Sequence, residues 1–348
     1  MNRRVHQKSG SGVQVRKVGH AVASVLVTAV LTGMFVLIHP APASAHLVGT
    51  GGSPTDYRTT VTAIRPAIPT VAVTVGLGGQ WVRVTNYGAA AIVVRGYRGE
   101  PFLRLSGNQV QVNELSATAA ETVRTQRAVA SADPAAEPRW TQLQTGDNAT
   151  WTDARINEPP SSGPSVSWTL PLVVDGQQVT VAGTTERITP PSPVPWIAGL
   201  AILAVAVAAI GWTRNWHRPM AAVVAAGILA FVAHVLGTGF APQQSGPVFG
   251  WVGVGLVAGF SLLIGAVAVR STLRRSQSAP DRLVTVGAMV LILAATDITV
   301  LWNSQLPFAG PAVLDRGLTT LAYAIALGLI VGGVRLVRVT RAQGPRSA

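Results

Sequence analysis

Hydrophobic positions follow two regimes along this chain. Between residues 46 and 189, apolar and polar positions alternate in short runs. "TVAVTVGLGGQWVRVTNYG" holds Val71, Val73 and Val75, a glycine-rich turn at 76–79 and a second run from Trp81 to Val84; "AIVVRGY" and "PFLRL" come next at similar spacing. "SVSWTLPLVVDGQQVTVAGTTERIT" adds two further runs around Asp175-Gly176. A period of two broken by frequent turns predicts short antiparallel strands, because successive strand side chains point to opposite faces. About seven such strands without helical periodicity lead us to expect an immunoglobulin-like β-sandwich. The Ala-, Thr- and Pro-rich stretch "SATAAETVRTQRAVASADPAAEPRW" interrupts them as an irregular excursion or a short helix near 119–128.

From residue 196 the alternation gives way to continuous apolar runs at about 196–213, 220–239, 247–269, 283–302 and 318–337. Each approaches the roughly 20 residues that a helix needs to cross a bilayer. Before them, "TPPSPVPW" makes residues 190–195 a Pro-rich tether that ends at Trp196, where an interfacial aromatic anchor belongs. The expected fold class is a mixed membrane protein: an exported immunoglobulin-like β-sandwich followed by a five-helix transmembrane bundle.

The first 45 residues carry a third pattern. Arg3, Arg4, Lys8, Arg16 and Lys17 precede "AVASVLVTAVLTGMFVLIH", which closes on Ala43-Ser44-Ala45. That is the form of a secretory signal peptide, 1–45, cleaved after Ala45. An uncleaved anchor is the alternative reading of the same run. Under both readings the β region that begins at residue 46 is expected outside the cytoplasm.

Charge sharpens the topology. The 348 residues carry a formal charge of +13, which resembles a nucleic-acid signal until it is divided by region. Residues 46–196 hold 11 Arg against 11 Asp and Glu, which cancel. The excess lies in the leader and between apolar runs: Arg214 and Arg218; Arg270, Arg274, Arg275 and Arg282; then Arg335, Arg338, Arg341 and Arg346. Alternate segments are nearly neutral, with Asp315 and Arg316 the only charges in "NSQLPFAGPAVLDRG". By the positive-inside rule the Arg-rich segments, including the tail 338–348, are cytoplasmic. Five spans ending inside put the β domain outside, in agreement with the leader. The positive charge is thus topogenic, and no nucleic acid is expected as a partner; the expected partners are the lipid bilayer and an envelope protein. Cysteine is absent, so neither disulfides nor thiolate metal sites are available to the exported domain.

Histidine supplies the first candidate chemistry. Cleavage after Ala45 makes His46 the mature terminus, and a free amine beside an imidazole offers Cu(II) two nitrogens. The Ala-His junction, the small β domain and the closing "SWTLPLVVDGQQVTVAGTTERI" resemble the CopC-type copper-binding domain. In that family copper lies between the terminal histidine and an Asp-Gly-His turn. The resemblance implies copper as cofactor, with His46 and Asp175 as ligands and Gln177 standing where the family has its second histidine. The layout of signal, exported β domain and five spans also resembles a group of actinobacterial membrane proteins. In that group a histidine-rich stretch is expected near "WTDARINEPP", where Thr152 and Ala154 lack donor nitrogens.

A second candidate lies within the apolar runs. Ionisable groups there are costly, at about 2.5 to 3.5 kcal/mol each on insertion scales. His234 and Asp297 each fall about 14 residues into their runs, roughly 21 Å along a helix, in the outer half of the bilayer. They are expected to meet, either as a proton or cation site or as a hydrogen bond that fixes packing. Thr296, Thr299 and Asn303 add polarity nearby. Gly255 and Gly259, with Gly250 and Gly265, have the small-xxx-small spacing of tight helix crossings. His217 reads as a solvated loop residue. Glu100, Glu114, Asp153 and Glu158 are scattered, without a neutral-pH base beside them. The expected function is therefore non-enzymatic: an integral membrane protein of the cell envelope whose β domain binds a partner or ligand, with copper binding or homeostasis as the alternative.

Overall fold

The computed structural model describes residues 52–122, 133–157, 160, 163–241 and 248–342. The leader and His46 lie outside the described residues.

The N-terminal part is an antiparallel β domain of ten strands: β1 (Tyr57–Arg65), β2 (Val71–Val75), β3 (Val82–Asn86), β4 (Ile92–Arg95), β5 (Pro101–Ser106), β6 (Gln109–Asn113), β7 (Trp140–Thr145), β8 (Asn148–Trp151), β9 (Ser165–Val174) and β10 (Gln177–Arg187). Seven form one sheet in the order β1-β10-β9-β4-β5-β6-β7, and three form another in the order β2-β3-β8. Burial alternates along the strands as their sequence does. Val82 and Val84 of β3, Ile92 and Val94 of β4, and Leu170, Leu172 and Val174 of β9 point into one shared core, while the residues between them do not. The two sheets meet there, with Phe102 edge-on to Trp151 at 5.8 Å between ring centres.

The Asp175-Gly176 turn closes β9 and β10 as a two-residue hairpin, with Val174 opposite Gln177 and positive φ at both turn residues. Gly107-Asn108 closes β5 and β6 in the same way. Four strands lie outside the expected runs. β6 and β8 are short, and β7 shows solvent most of its length, so their apolar signal is weak. β1 is rich in threonine, whose hydroxyls pair across to β10 at Thr59–Thr185 (3.0 Å). The irregular stretch does open with a helix, α1 (Ala117–Thr122); residues 123–132 of it lie outside the described residues. A single turn, α2 (Ala154–Asn157), comes after β8.

Five helices complete the described chain: α3 (Val194–Ile210), α4 (His217–Gly239), α5 (Val248–Leu273), α6 (Ala279–Leu293) and α7 (Ala312–Ala342). Three of them, α4, α5 and α7, are long and apolar enough to cross a membrane. Their outward faces suit lipid, and Leu256 and Leu263 of α5 are each more than 60% exposed, a poor arrangement in water. α3 is apolar but has 17 residues, and it takes in the last two residues of the expected tether. The run at 283–302 differs more from expectation: α6 stops at Leu293, and the chain resumes as a 3-10 segment, Asp297–Leu301. α7 begins six residues before the expected 318, which draws Asp315 and Arg316 from a loop into its first turns.

The glycines pack differently from their spacing. Gly255 and Gly259 have nothing within 4 Å of where a Cβ would stand, so they mediate no crossing here; Gly265 does, against Ile228. A close crossing joins α3 and α7. A Cβ on Gly328 would stand 2.5 Å from the Val207 Cβ, and Gly332 lies against Ala208 and Gly211. The reason is that a spacing of four defines one face of a helix, not which neighbour that face meets.

Candidate functional site

The break after α6 gathers the polar groups of the bundle. His234 sits on the last turns of α4 with its side chain buried. Asp297 opens the 3-10 segment, and its Oδ2 lies 3.2 Å from His234 Nε2. On the other side of the ring, Asp315 Oδ1 of α7 lies 2.6 Å from Nδ1, and Thr319 Oγ1 is 3.4 Å from the same nitrogen. Phe308 covers the ring nearly parallel to it, 15° between planes at 6.5 Å. Gly237 makes room for Phe308, since a Cβ there would overlap the phenyl ring.

The local backbone explains why α7 supplies so many of these groups. Where a helix stops inside a bundle, its last carbonyls need donors. Tyr323 Oη donates to Ala294 O, the C-cap carbonyl of α6, which the Asp297 N–H also reaches at 2.8 Å. Arg316 donates from Nε to Val300 O (3.1 Å) and from Nη2 to Asn303 O (2.7 Å), which closes the 3-10 segment. Asn303 Nδ2 in turn donates to Thr299 O. Asp315, Thr319 and Tyr323 are spaced by four and therefore share one face of α7.

Proton placement is set by donor chemistry. An ionised carboxylate only accepts, so each of the two N···O contacts needs a hydrogen. An imidazolium between two carboxylates supplies both; so does a neutral imidazole between one carboxylate and one carboxylic acid. In either form His234, Asp297 and Asp315 together carry one net negative charge, and the adjacent Arg316 balances it. Asp315 is buried to 1% exposure whereas the Asp297 side chain retains 16%, so exchange with solvent is easier at Asp297.

The structure thus brings His234 and Asp297 together and adds Asp315, which the sequence placed in an outer loop. A signal for it was present: Pro311 just ahead of "AVLD" is a helix-start pattern, and it puts Asp315 in the first turn of α7.

Of the two copper ligands implied by the resemblance, His46 lies outside the described residues. Asp175 is exposed at the tip of the β9–β10 hairpin, its N–H donating to Ala91 O. Gln177 beside it supplies only an amide, so this turn offers Cu(II) no nitrogen side chain and does not fit a copper centre. Among the described residues no three His, Asp or Glu are grouped to hold a metal. In the membrane cluster the two carboxylates flank opposite nitrogens of one ring, an arrangement that leaves neither nitrogen lone pair open for a shared ion.

Asp153 and Glu100 are buried inside the β domain and fully engaged. Asp153 takes a two-point contact from Arg155 (2.9 and 2.7 Å) and the Trp151 indole N–H. Glu100 Oε1 accepts from the Ser116 hydroxyl and from the N–H and hydroxyl of Thr118. Glu114 accepts from the Thr141 hydroxyl, and Glu158 lies outside the described residues. These contacts build the domain.

The β domain reaches the helical region close to the cluster. Thr55 and Gln305 exchange backbone hydrogen bonds (3.0 and 2.8 Å), and Asp56 Oδ1 accepts from the Ser304 N–H at 2.7 Å. Asp56 is held on its other side by the end of β10, where the Ile188 N–H donates to its carbonyl. No protein-family model, curated protein or solved structure matches the chain.

Proposed function

We propose that the chain is a non-enzymatic integral membrane protein of the cell envelope. Its β domain, immunoglobulin-like and extracytoplasmic, binds a partner or ligand. Five apolar segments anchor it, with the basic tail in the cytoplasm, and the His234–Asp297–Asp315 cluster responds to the state of the domain outside.

One observation carries this reading: residues 297–305 belong to both sites. Asp297 at one end touches His234, Asn303 accepts from Arg316 beside Asp315, and Ser304 and Gln305 hold Thr55 and Asp56 of the β domain. A shift of the domain on its dock therefore moves the carboxylate and the arginine that set the charge around one buried imidazole. Coupling through a continuous chain of hydrogen bonds needs such a physical connection between two sites.

The test uses the full chain in detergent with labelled histidine, His234 being assigned by loss of its signal in His234→Gln. Asp56→Ala removes the acceptor for Ser304 N–H without touching the cluster. The ring nitrogen resonances of His234 are expected to move in Asp56→Ala and to stay put in Asp175→Ala, which alters an exposed turn. Unmoved resonances in Asp56→Ala sink the proposal of transmission.

A further inference from the structure

The opposite end of the bundle holds a second feature, independent of the cluster. A cavity of about 650 Å³ opens between the α3–α4 connection, the α5–α6 connection and the last turns of α7. Arg214, His217 and Arg275 line it, with Ser276, Gln277 and Thr340 as neutral donors and acceptors. No acidic side chain among the described residues lines it. Neither Arg214 nor Arg275 has an ion-pair partner among the described residues, and the buried Nδ1 of His217 has no hydrogen-bond partner there.

Two helices also begin at this cavity. α4 starts at His217 and α6 at Ala279, and neither has a side-chain cap on its first N–H groups. Each start therefore presents partial positive charge to the space that the arginines surround.

The backbone at Arg275 points the same way. The Arg275 N–H bonds to Thr272 O and the Ser276 N–H to Ser271 O, the paired bonds of a Schellman ending to α5. Its central residue takes left-handed backbone, φ +52° for Arg275, where glycine is the ordinary occupant. The chain keeps a bulky cation at a position whose conformation disfavours it, and that cation faces an acid-free cavity.

Apolar surface adjoins the charged side. Trp216 and Leu336 form part of the wall, and Trp212 nearby is 56% exposed with the Arg335 guanidinium 4.9 Å from its ring centre. Tryptophan and arginine at the ends of membrane-crossing helices mark the headgroup layer. A basic pocket between helices at that depth suits a phosphate group.

We propose that this cavity binds a phosphate group, held by Arg214 and Arg275 with the His217 ring and the two helix starts, and carried either by an anionic phospholipid or by a free phosphate.

Full-length protein in neutral detergent is mixed with dioleoylphosphatidylglycerol, dioleoylphosphatidylcholine or inorganic phosphate. Bound lipid is counted by native mass spectrometry, and each ligand is also read by its shift of the melting temperature. Preferential retention of one phosphatidylglycerol without an effect of inorganic phosphate identifies a lipid. A melting shift with inorganic phosphate that Arg214→Gln removes identifies a free phosphate. Arg214→Gln and Arg275→Gly are each expected to weaken binding about fivefold, from the usual worth of one basic side chain near anionic headgroups.

Arg275→Gly separates binding from folding, since glycine fits the left-handed position better. Its melting temperature without ligand is expected to equal or exceed that of the parent chain while binding falls. Arg341→Gln, exposed and 3.6 Å from Asp281, serves as the control for general charge. Equal losses in Arg341→Gln and Arg275→Gly, or no preference for either phosphate probe, overturn the proposal.

Discussion

At the scale of single residues, the described β domain is stabilised by buried polar groups as well as by its apolar core. Burial alone would push the Glu100 carboxyl up, but hydrogen bonds from the Thr118 N–H and from the Ser116 and Thr118 hydroxyls outweigh it and hold the carboxyl below the usual carboxylate range. A carboxyl more acidic in the folded than in the unfolded chain stabilises the fold fully above its unfolded pKa. That stabilisation is lost as pH falls through the lower folded value. The full chain should therefore lose β-domain stability on acidification through and below the ordinary carboxylate range, as tracked by near-ultraviolet dichroism. Glu100→Gln should flatten that limb. At neutral pH it should cost about 1 to 3 kcal/mol, because an amide nitrogen then faces the Arg98 N–H that Oε2 now accepts. None of this was legible in the sequence. Glu100 stands in a turn beside Arg98 and Gly99 and reads as solvated; only the fold brings Ser116 and Thr118, 16 and 18 residues away, onto its oxygens. His234 and Asp297 were legible for the opposite reason, since a charge in an apolar run is conspicuous without any partner in view.

At the scale of elements, the informative departure is the α6 break. Hydropathy sees one run at 283–302 because Ala294, Ala295 and Ile298 are apolar whether or not their carbonyls are bonded within a helix. Across the break α7 brings Tyr323 to Ala294 O and Arg316 to Val300 O, and such pairing between distant segments has no local signature. Asp315 escapes notice with it, since the apolar run begins at 318 whereas the helix begins at Ala312. The two carboxylates of the cluster are not equivalent. Asp315 is the more buried, makes the shorter contact and stands in the first turns of α7, where the helix dipole favours a carboxylate. Asp315→Asn is therefore expected to lower thermal stability in detergent more than Asp297→Asn. Removing one partner of a buried pair costs about 3 to 5 kcal/mol, and partial access to solvent softens that cost at Asp297. Melting curves of the two variants in one detergent check the order. The reverse order would mean that Asp297 is the carboxylate that holds the bundle together.

At the scale of the whole molecule, both proposed sites depend on which way the bundle faces. Among the described residues nine arginines, Arg214, Arg218, Arg270, Arg274, Arg275, Arg282, Arg335, Arg338 and Arg341, against the single acid Asp281 mark one end of it. The β domain docks at the other end, through Ser304 and Gln305. The bias of cationic loops toward the cytoplasm is what puts the β domain outside in the orientation we propose. The absence of cysteine makes this testable with little disturbance, because a single introduced thiol has no competitor in the chain. Asp175→Cys places one at the exposed β9–β10 turn, and Arg341→Cys places one on the exposed last turns of α7. A membrane-impermeant maleimide applied to intact cells, with the outer barrier opened where one exists, is expected to label Asp175→Cys at once. Arg341→Cys should react only after the inner membrane is permeabilised. The inverse pattern would place the β domain in the cytoplasm. The His234 cluster would then face the inner aqueous phase, and the Arg275 cavity would meet the outer leaflet, so any phosphate it holds would come from that side.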